Sequence, residues 1–155
     1  MVVALSGGLI YLAHYQPLVP GDAGASSMTY RQGAPFSYAT ELINQGHIPI
    51  TVQGIDAWTG LLRTTGISIG RSGLQHTGDI SPRYYETFRS FSLAPGQSRA
   101  ILIQNVFEGC ARFAPGTSAI YESLMIRFSV LGVPRTALVT IGDNPTIEAP
   151  KSCPE

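Results

Sequence analysis

The sequence predicts an all-β chain folded as an antiparallel sandwich, and three observations lead there. Apolar residues recur at every second position in several stretches, the 180° periodicity of half-buried strands. Turn residues interrupt the chain about every 8 to 15 residues, the rhythm of short strands joined by tight connections. After residue 30 no stretch sustains a 3.6-residue apolar period, and no strand–helix–strand alternation is visible. About seven or eight short antiparallel strands with this spacing describe an immunoglobulin-like β-sandwich, here behind an N-terminal apolar segment.

The elements follow in order. Residues 1–16, "MVVALSGGLIYLAHYQ", are mostly apolar and carry no Lys or Arg. The stretch is shorter than the roughly 20 residues a bilayer span needs, and it lacks the positive start of a secretion signal. It reads as the remnant of a membrane anchor or signal; the alternative is an ordinary apolar first strand or helix. Residues 17–29, rich in Pro, Gly, Ala and Ser, read as a linker, with Ala23-Gly24-Ala25 a small-residue cleavage site. The sandwich is then expected over 30–155.

"PFSYATELI" and "IPITVQGI" are two strands around Asn44-Gln45-Gly46. Gly46 is expected to take the positive φ that branched residues avoid. Pro49 demotes its strand at that point to an edge or a bulge. "LLRTTGISIG" is a further strand. "SPRYYETFRS", 81–90, is the one candidate helical turn, with Ser81 as N-cap and Pro82 at the first position. "FRSFSLAPGQ" places Phe88 and Leu93 near a turn at Pro95-Gly96, and "RAILIQNVF" puts Ile101 and Ile103 on one face. In "IYESLMIRFSVLG", Leu124, Ile126, Phe128 and Val130 face one way and Ser123, Met125, Arg127 and Ser129 the other. "TALVTIG" repeats the pattern with Ala137, Val139 and Ile141. Gly132-Val133-Pro134 between these runs predicts a hairpin turn.

Composition narrows the function. A length of 155 residues suits one domain, and 44% hydrophobic content argues against disorder. Ten basic residues balance ten acidic ones without a basic run, which disfavours nucleic acid and anionic lipid as partners. Cys110 and Cys153 are too few for a disulfide scaffold and wrongly spaced for zinc or a redox pair. Both sit in turn-like surroundings, so a bridge is expected, with two free thiols as the alternative. Closing that loop of about 43 residues contributes about 4 kcal/mol in the chain-entropy view and implies an oxidising compartment.

"FSLAPGQSRAILIQNVFEGCARFAPG", "IRFSVLGVPRTALVTI" and the terminal "IEAPKSCP" together resemble a group of uncharacterised extracytoplasmic proteins of actinobacteria. The matching positions are Pro95-Gly96, Cys110, Leu131-Gly132-Val133, Arg135-Thr136 and Cys153-Pro154. The resemblance spans about residues 34 to 154. It implies one immunoglobulin-like domain behind an N-terminal membrane or signal segment, located outside the cytoplasm, and it carries no catalytic residues.

Gly66-Ile67-Ser68-Ile69-Gly70 is formally G-x-S-x-G, but the flanking isoleucines continue a strand, whereas the hydrolase motif needs a strand-to-helix elbow. His76 and Asp79 follow in the reverse of the usual acid-then-His order. His14, His47 and His76 lie too far apart in sequence for a local metal motif, and no cofactor or metal is expected. The acidic residues form no evident pair. A softer lead lies in 56–91, rich in residue types common at binding hot spots. Trp58, Arg63, Tyr84, Tyr85 and Arg89 are the expected protein-binding residues, against the alternative that the aromatics cap the core. The expected function is a non-enzymatic binding or assembly module of the cell envelope with a protein partner. Contact with a membrane is expected only through the N-terminal segment. The alternative is a small envelope serine hydrolase or metal carrier.

Overall fold

The computed structural model describes residues 15–26, 31–56, 60–70, 80–109, 113–114, 116–141 and 146–149. Eleven strands lie among them: β1 Leu18–Ala25, β2 Pro35–Asn44, β3 Ile50–Asp56, β4 Leu62–Gly70, β5 Tyr85–Thr87, β6 Phe91–Leu93, β7 Ser98–Phe107, β8 Ser118–Ile120, β9 Ser123–Val130, β10 Val133–Thr140 and β11 Thr146–Glu148. The antiparallel all-β expectation holds. β5, β6, β8 and β11 have three residues each, too short for alternation to register in a sequence. Of the other seven, all but β1 are strands that the sequence predicts.

Two sheets make a sandwich. One has the order β1-β2-β7-β4-β5 and the other β10-β9-β3-β6. A two-stranded ladder, β11-β8, is hydrogen-bonded to neither sheet, and its Ile147 joins the core cluster. Alternation decides which residues meet between the sheets. Phe36, Tyr38 and Leu42 of β2 and Ile101, Ile103 and Phe107 of β7 belong to one buried cluster with Ile50 and Val52 of β3. Leu124, Ile126, Phe128 and Val130 of β9 and Ala137 and Val139 of β10 complete that cluster from the second sheet. Each large apolar side chain buried there contributes about 1.5–3 kcal/mol. A one-residue slip would turn every one of them to solvent, so the core fixes the register.

Asn44 answers what the β2–β3 turn does. It is fully buried. Its Nδ2 donates to the carbonyls of Ile48 and Leu93, both at 3.0 Å, and its Oδ1 accepts from the Gly46 N–H at 3.0 Å. Its backbone N–H donates to Gln97 and its carbonyl accepts from Gly96. One residue thus ties the turn to β6 through its side chain and to the 94–97 turn through its backbone, a structural clasp rather than a site of chemistry.

Five expectations need correction. Residues 18–25, read as linker, form an edge strand paired with β2 from Leu18↔Asn44 to Ala25↔Tyr38. Small residues suit an edge strand that carries a register shift between Pro20 and Ala23. The sandwich therefore begins ahead of residue 30. Gly46 is absent from the glycines with positive φ. A Cβ there would lie 1.9 Å from the Tyr15 hydroxyl, so close approach explains this glycine. The hairpin turn is Leu131-Gly132, because Val133 already pairs with Val130 and Pro134 with Ser129. β10 is an edge strand, where proline's missing donor is tolerated. The helical turn shrinks to one 3-10 turn, Pro82–Tyr84, and Ser81 makes no side-chain capping bond. Pro49 stands just ahead of β3, where it disturbs no ladder.

Candidate functional site

Of the protein-binding residues nominated from the sequence, the four that are described, Arg63, Tyr84, Tyr85 and Arg89, do not lie together. Tyr85 is buried on the outer face of the first sheet with Ala39, Ala100 and Leu102, and Ile80 and Tyr84 pack beside it. Arg83 stacks its guanidinium over the Tyr84 ring at 4.5 Å. Residues 80–85 thus close over a patch of sheet that would otherwise be exposed and apolar. Arg89 is exposed and pairs with Glu86 at 3.1 Å. Arg63 pairs with Glu108 at the opposite end of β4 from Gly70, where β5 joins. At roughly 3.3 Å per residue, that separates Arg63 from Tyr85 by ~20 Å. Trp58, Cys110 and Cys153 lie outside the described residues, as do the N-terminal segment to residue 14, His14 and His76. The aromatics at 84–85 cap the sheet, the alternative reading of that segment.

The catalytic alternative finds no elbow. Ser68 lies within β4, paired with Leu102 on one side and Thr87 on the other. Ile69 and Gly70 continue the strand after it, so its hydroxyl is not raised on the sharp turn that a nucleophile needs. His47 is exposed in the β2–β3 turn. Among the described residues, no three His, Cys, Asp or Glu side chains group as metal ligands.

The surface that stands out is one the sequence reading passed over, the β9–β10 hairpin. Its two turn residues, Leu131 (φ 49°) and Gly132 (φ 80°), both have positive φ. Two central residues with φ > 0 make a type I′ turn, which favours Asn-Gly because its twist matches the strands. A leucine in left-handed backbone costs roughly 1–2 kcal/mol. Here the side chain recovers nothing by burial, since Leu131 is 73% exposed. Further along, Leu138 and Met125 are direct cross-strand partners, exposed by 66% and 46%. Between tip and pair the outward residues are Pro134 with Ser129 and Thr136 with Arg127. The outer face of this hairpin is therefore an apolar tip, a polar middle and an apolar pair. Alternation already places Met125 on the outward face and places Leu138 there as well, and Leu131 ahead of Gly132 is a visible misfit for a turn.

No protein-family model matches the chain, and no curated protein does. Among solved structures it is similar to the cupredoxin domain of amoB from Nitrosocaldus yellowstonii, at 10% identity and a TM-score of 0.38. That match covers 78% of this chain and 61% of the other, so the chain spans about three fifths of that structure. It is similar to the apo PmoF2 PCuAC domain at 10% identity and a TM-score of 0.44, covering 89% and 94% of the two chains. It is also similar to PapD-like domain 7 of human CEP192, at 11% identity and a TM-score of 0.37, covering 84% and 86%.

Proposed function

We propose that this chain is a non-enzymatic binding or assembly module of the cell envelope, and that it holds a protein partner on the outer face of the β9–β10 hairpin. The exposed, strained Leu131 carries the reading. A residue that costs stability and packs against nothing in its own fold is accounted for by contact with something else. The partner is taken to be a protein with an apolar surface rather than a bilayer, because a chain of zero net charge without a basic run has little attraction for anionic lipid. Leu131 and the Leu138–Met125 pair fit within one interface of ordinary size, about 800 Å² per partner.

The scaffold is read as immunoglobulin-like. The orders β1-β2-β7-β4 and β10-β9-β3 correspond to the two sheets of that sandwich, with β5 and β6 as additions. The extracytoplasmic setting rests on the apolar N-terminus and on a Cys110–Cys153 bridge. In support of the bridge, the β8–β11 ladder continues through bonds from Gly116 to Ala149 and from Ala149 to Thr117, leading the chain toward both cysteines. Thiol labelling with and without reductant tests it: labelling without reductant removes the bridge and the case for an oxidising compartment.

The partner is tested by placing a photo-crosslinker at position 138 of the intact precursor in membranes. The same experiment is run on Leu131→Asn/Leu138→Thr protein with the crosslinker at position 125. Adducts that form in the parent and vanish in the variant are expected. Identical adducts in both, or none in either, would reject the hairpin as the binding face.

A further inference from the structure

The strand pairings define the end at which the chain enters the sandwich. Leu18 of β1 lies opposite Asn44 of β2, and Ile43 opposite Ser98 of β7. Ile50 of β3 lies opposite Leu93 of β6 and Val130 of β9. The entering residues, the β2–β3 turn, the 94–97 turn and the Leu131-Gly132 tip therefore share one end. The entering chain is tied there. The Tyr15 hydroxyl accepts from the Ile48 N–H at 3.0 Å, and the Pro17 carbonyl accepts from the Gln45 N–H at 2.9 Å. Tyr15 and Gln16 also line one cleft with Pro134 and Thr136 of β10. Residues 1–14 thus join the fold beside the β9–β10 hairpin.

Charge is divided between the two ends. Residues 15–17, 45–49, 94–97 and 131–132 contain no Asp, Glu, Lys or Arg, and His47 is the single residue among them able to carry a positive charge. At the other end stand Arg31 ahead of β2, Asp56 closing β3, Arg63 near the start of β4, Glu108 after β7 and Glu122 ahead of β9. One more connection, 71–84, begins on the entry side, next to the far edge of the first sheet. Of its described residues, Ile80 and Tyr84 pack on that sheet's outer face. Both ends are built from connections, so turn composition alone does not explain the split.

We infer that the domain stands with this entry end toward a membrane and, resting on the hairpin reading above, that the partner is a protein embedded in that membrane. Residues 1–14 are mostly apolar and carry no Lys or Arg, and an apolar segment gains by burial in lipid. Held by that tether, Tyr15 comes to the headgroup level, where tyrosine is enriched. A surface near hydrocarbon is penalised for each charged side chain it brings, and the three turns beside Tyr15 bring no Asp, Glu, Lys or Arg. Leu131, 73% exposed at the same end, then meets the apolar surface of a protein that emerges from the bilayer. The tether sets the orientation, so no basic patch is required.

The test places a small fluorescent amino acid singly at exposed positions of the full chain, 47 or 95 on the entry end and 31 or 122 on the other. The protein is bound to phosphatidylcholine vesicles that carry a nitroxide on the headgroup. β9, with eight residues, sets the ends roughly 25 Å apart. Quenching several-fold stronger at 47 and 95 than at 31 and 122 is expected. Equal quenching at both ends, the reverse order, or no quenching at any site would overturn the orientation. Leu131→Asn/Leu138→Thr protein is expected to keep the pattern, because the tether sets it. Loss of the pattern in that variant would mean that the hairpin itself sits in lipid, and would overturn the embedded protein as its partner. In native membranes, the protein crosslinked from position 138 is expected to contain a membrane span when identified by mass spectrometry. A crosslinked partner without one overturns the second part of the inference. Absence of any adduct rejects the hairpin as the binding face, while quenching still decides the orientation.

Discussion

Two outward-facing regions of this sandwich invert the usual guide that aromatic residues and arginine mark a binding surface. On the first sheet, residues 80–91 offer Tyr84, Tyr85 and Arg89, the residue types most common at interfaces, yet the chain uses the tyrosines to seal its own sheet and Glu86 to hold the arginine. On the second sheet, the β9–β10 hairpin offers leucine and methionine, and leaves them in solvent. The difference is one of coverage. A sheet face with alanine and leucine on it needs a lid, and the 80–85 segment is close enough in the β4–β5 connection to serve. No described segment packs over the Leu138–Met125 pair. Residue type states what a side chain is able to bind. Whether the fold has already used it depends on the connections.

Three measurements sharpen that contrast, from the largest effect to the smallest. Tyr85→Ala should remove the centre of the outer cluster and lower unfolding stability by about 3 kcal/mol, the scale of deleting a packed aromatic. A denaturant midpoint unchanged from the parent would mean that residues 80–85 lie loosely on the sheet and that this face, too, is available. Tyr121 samples the core that both faces share. Its hydroxyl accepts from the Leu62 N–H at 2.9 Å, and burial pushes its pKa above the ordinary 10.0, partly offset by the backbone bonds from Leu62 and Leu61. A folded-state value above the unfolded one means that the unfolded chain releases the proton first. The contribution is therefore complete below pH 10 and lost as pH rises through the folded value. Alkaline unfolding should begin there, and Tyr121→Phe should flatten that loss while costing about 1–2 kcal/mol at neutral pH for the orphaned N–H. An unaltered alkaline profile in the variant would show that the phenol does not titrate with unfolding.

The third effect is opposite in sign. Leu131→Asn should stabilise the hairpin by about 1 kcal/mol, because asparagine accepts left-handed backbone more readily than leucine. A melting temperature that falls instead would show that Leu131 supports the fold and would remove the main reason for treating the tip as a contact. Leu138→Thr, as an exposed change, is expected to stay within about 0.5 kcal/mol, so any loss of crosslinking in the double variant reports binding and not unfolding.

Much of the architecture was decided locally. Strict alternation in β9 and β10 fixed which side chains face inward, since side chains on a strand have only two directions. The apolar runs at 36–42 and 101–107 announced their strands for the same reason. The tertiary structure decided what alternation cannot carry. Three-residue strands have no period. A glycine serves either a positive φ or close approach, and only Tyr15 lying against Gly46 separates the two. A proline- and glycine-rich stretch reads as linker until β2 presents an edge for it to pair with. Above all, the exposure of Leu131 and Leu138 and the burial of Tyr85 depend on which distant segment covers which face. Coverage is a property of connections between strands, and contacts between residues far apart in sequence leave no local pattern to read.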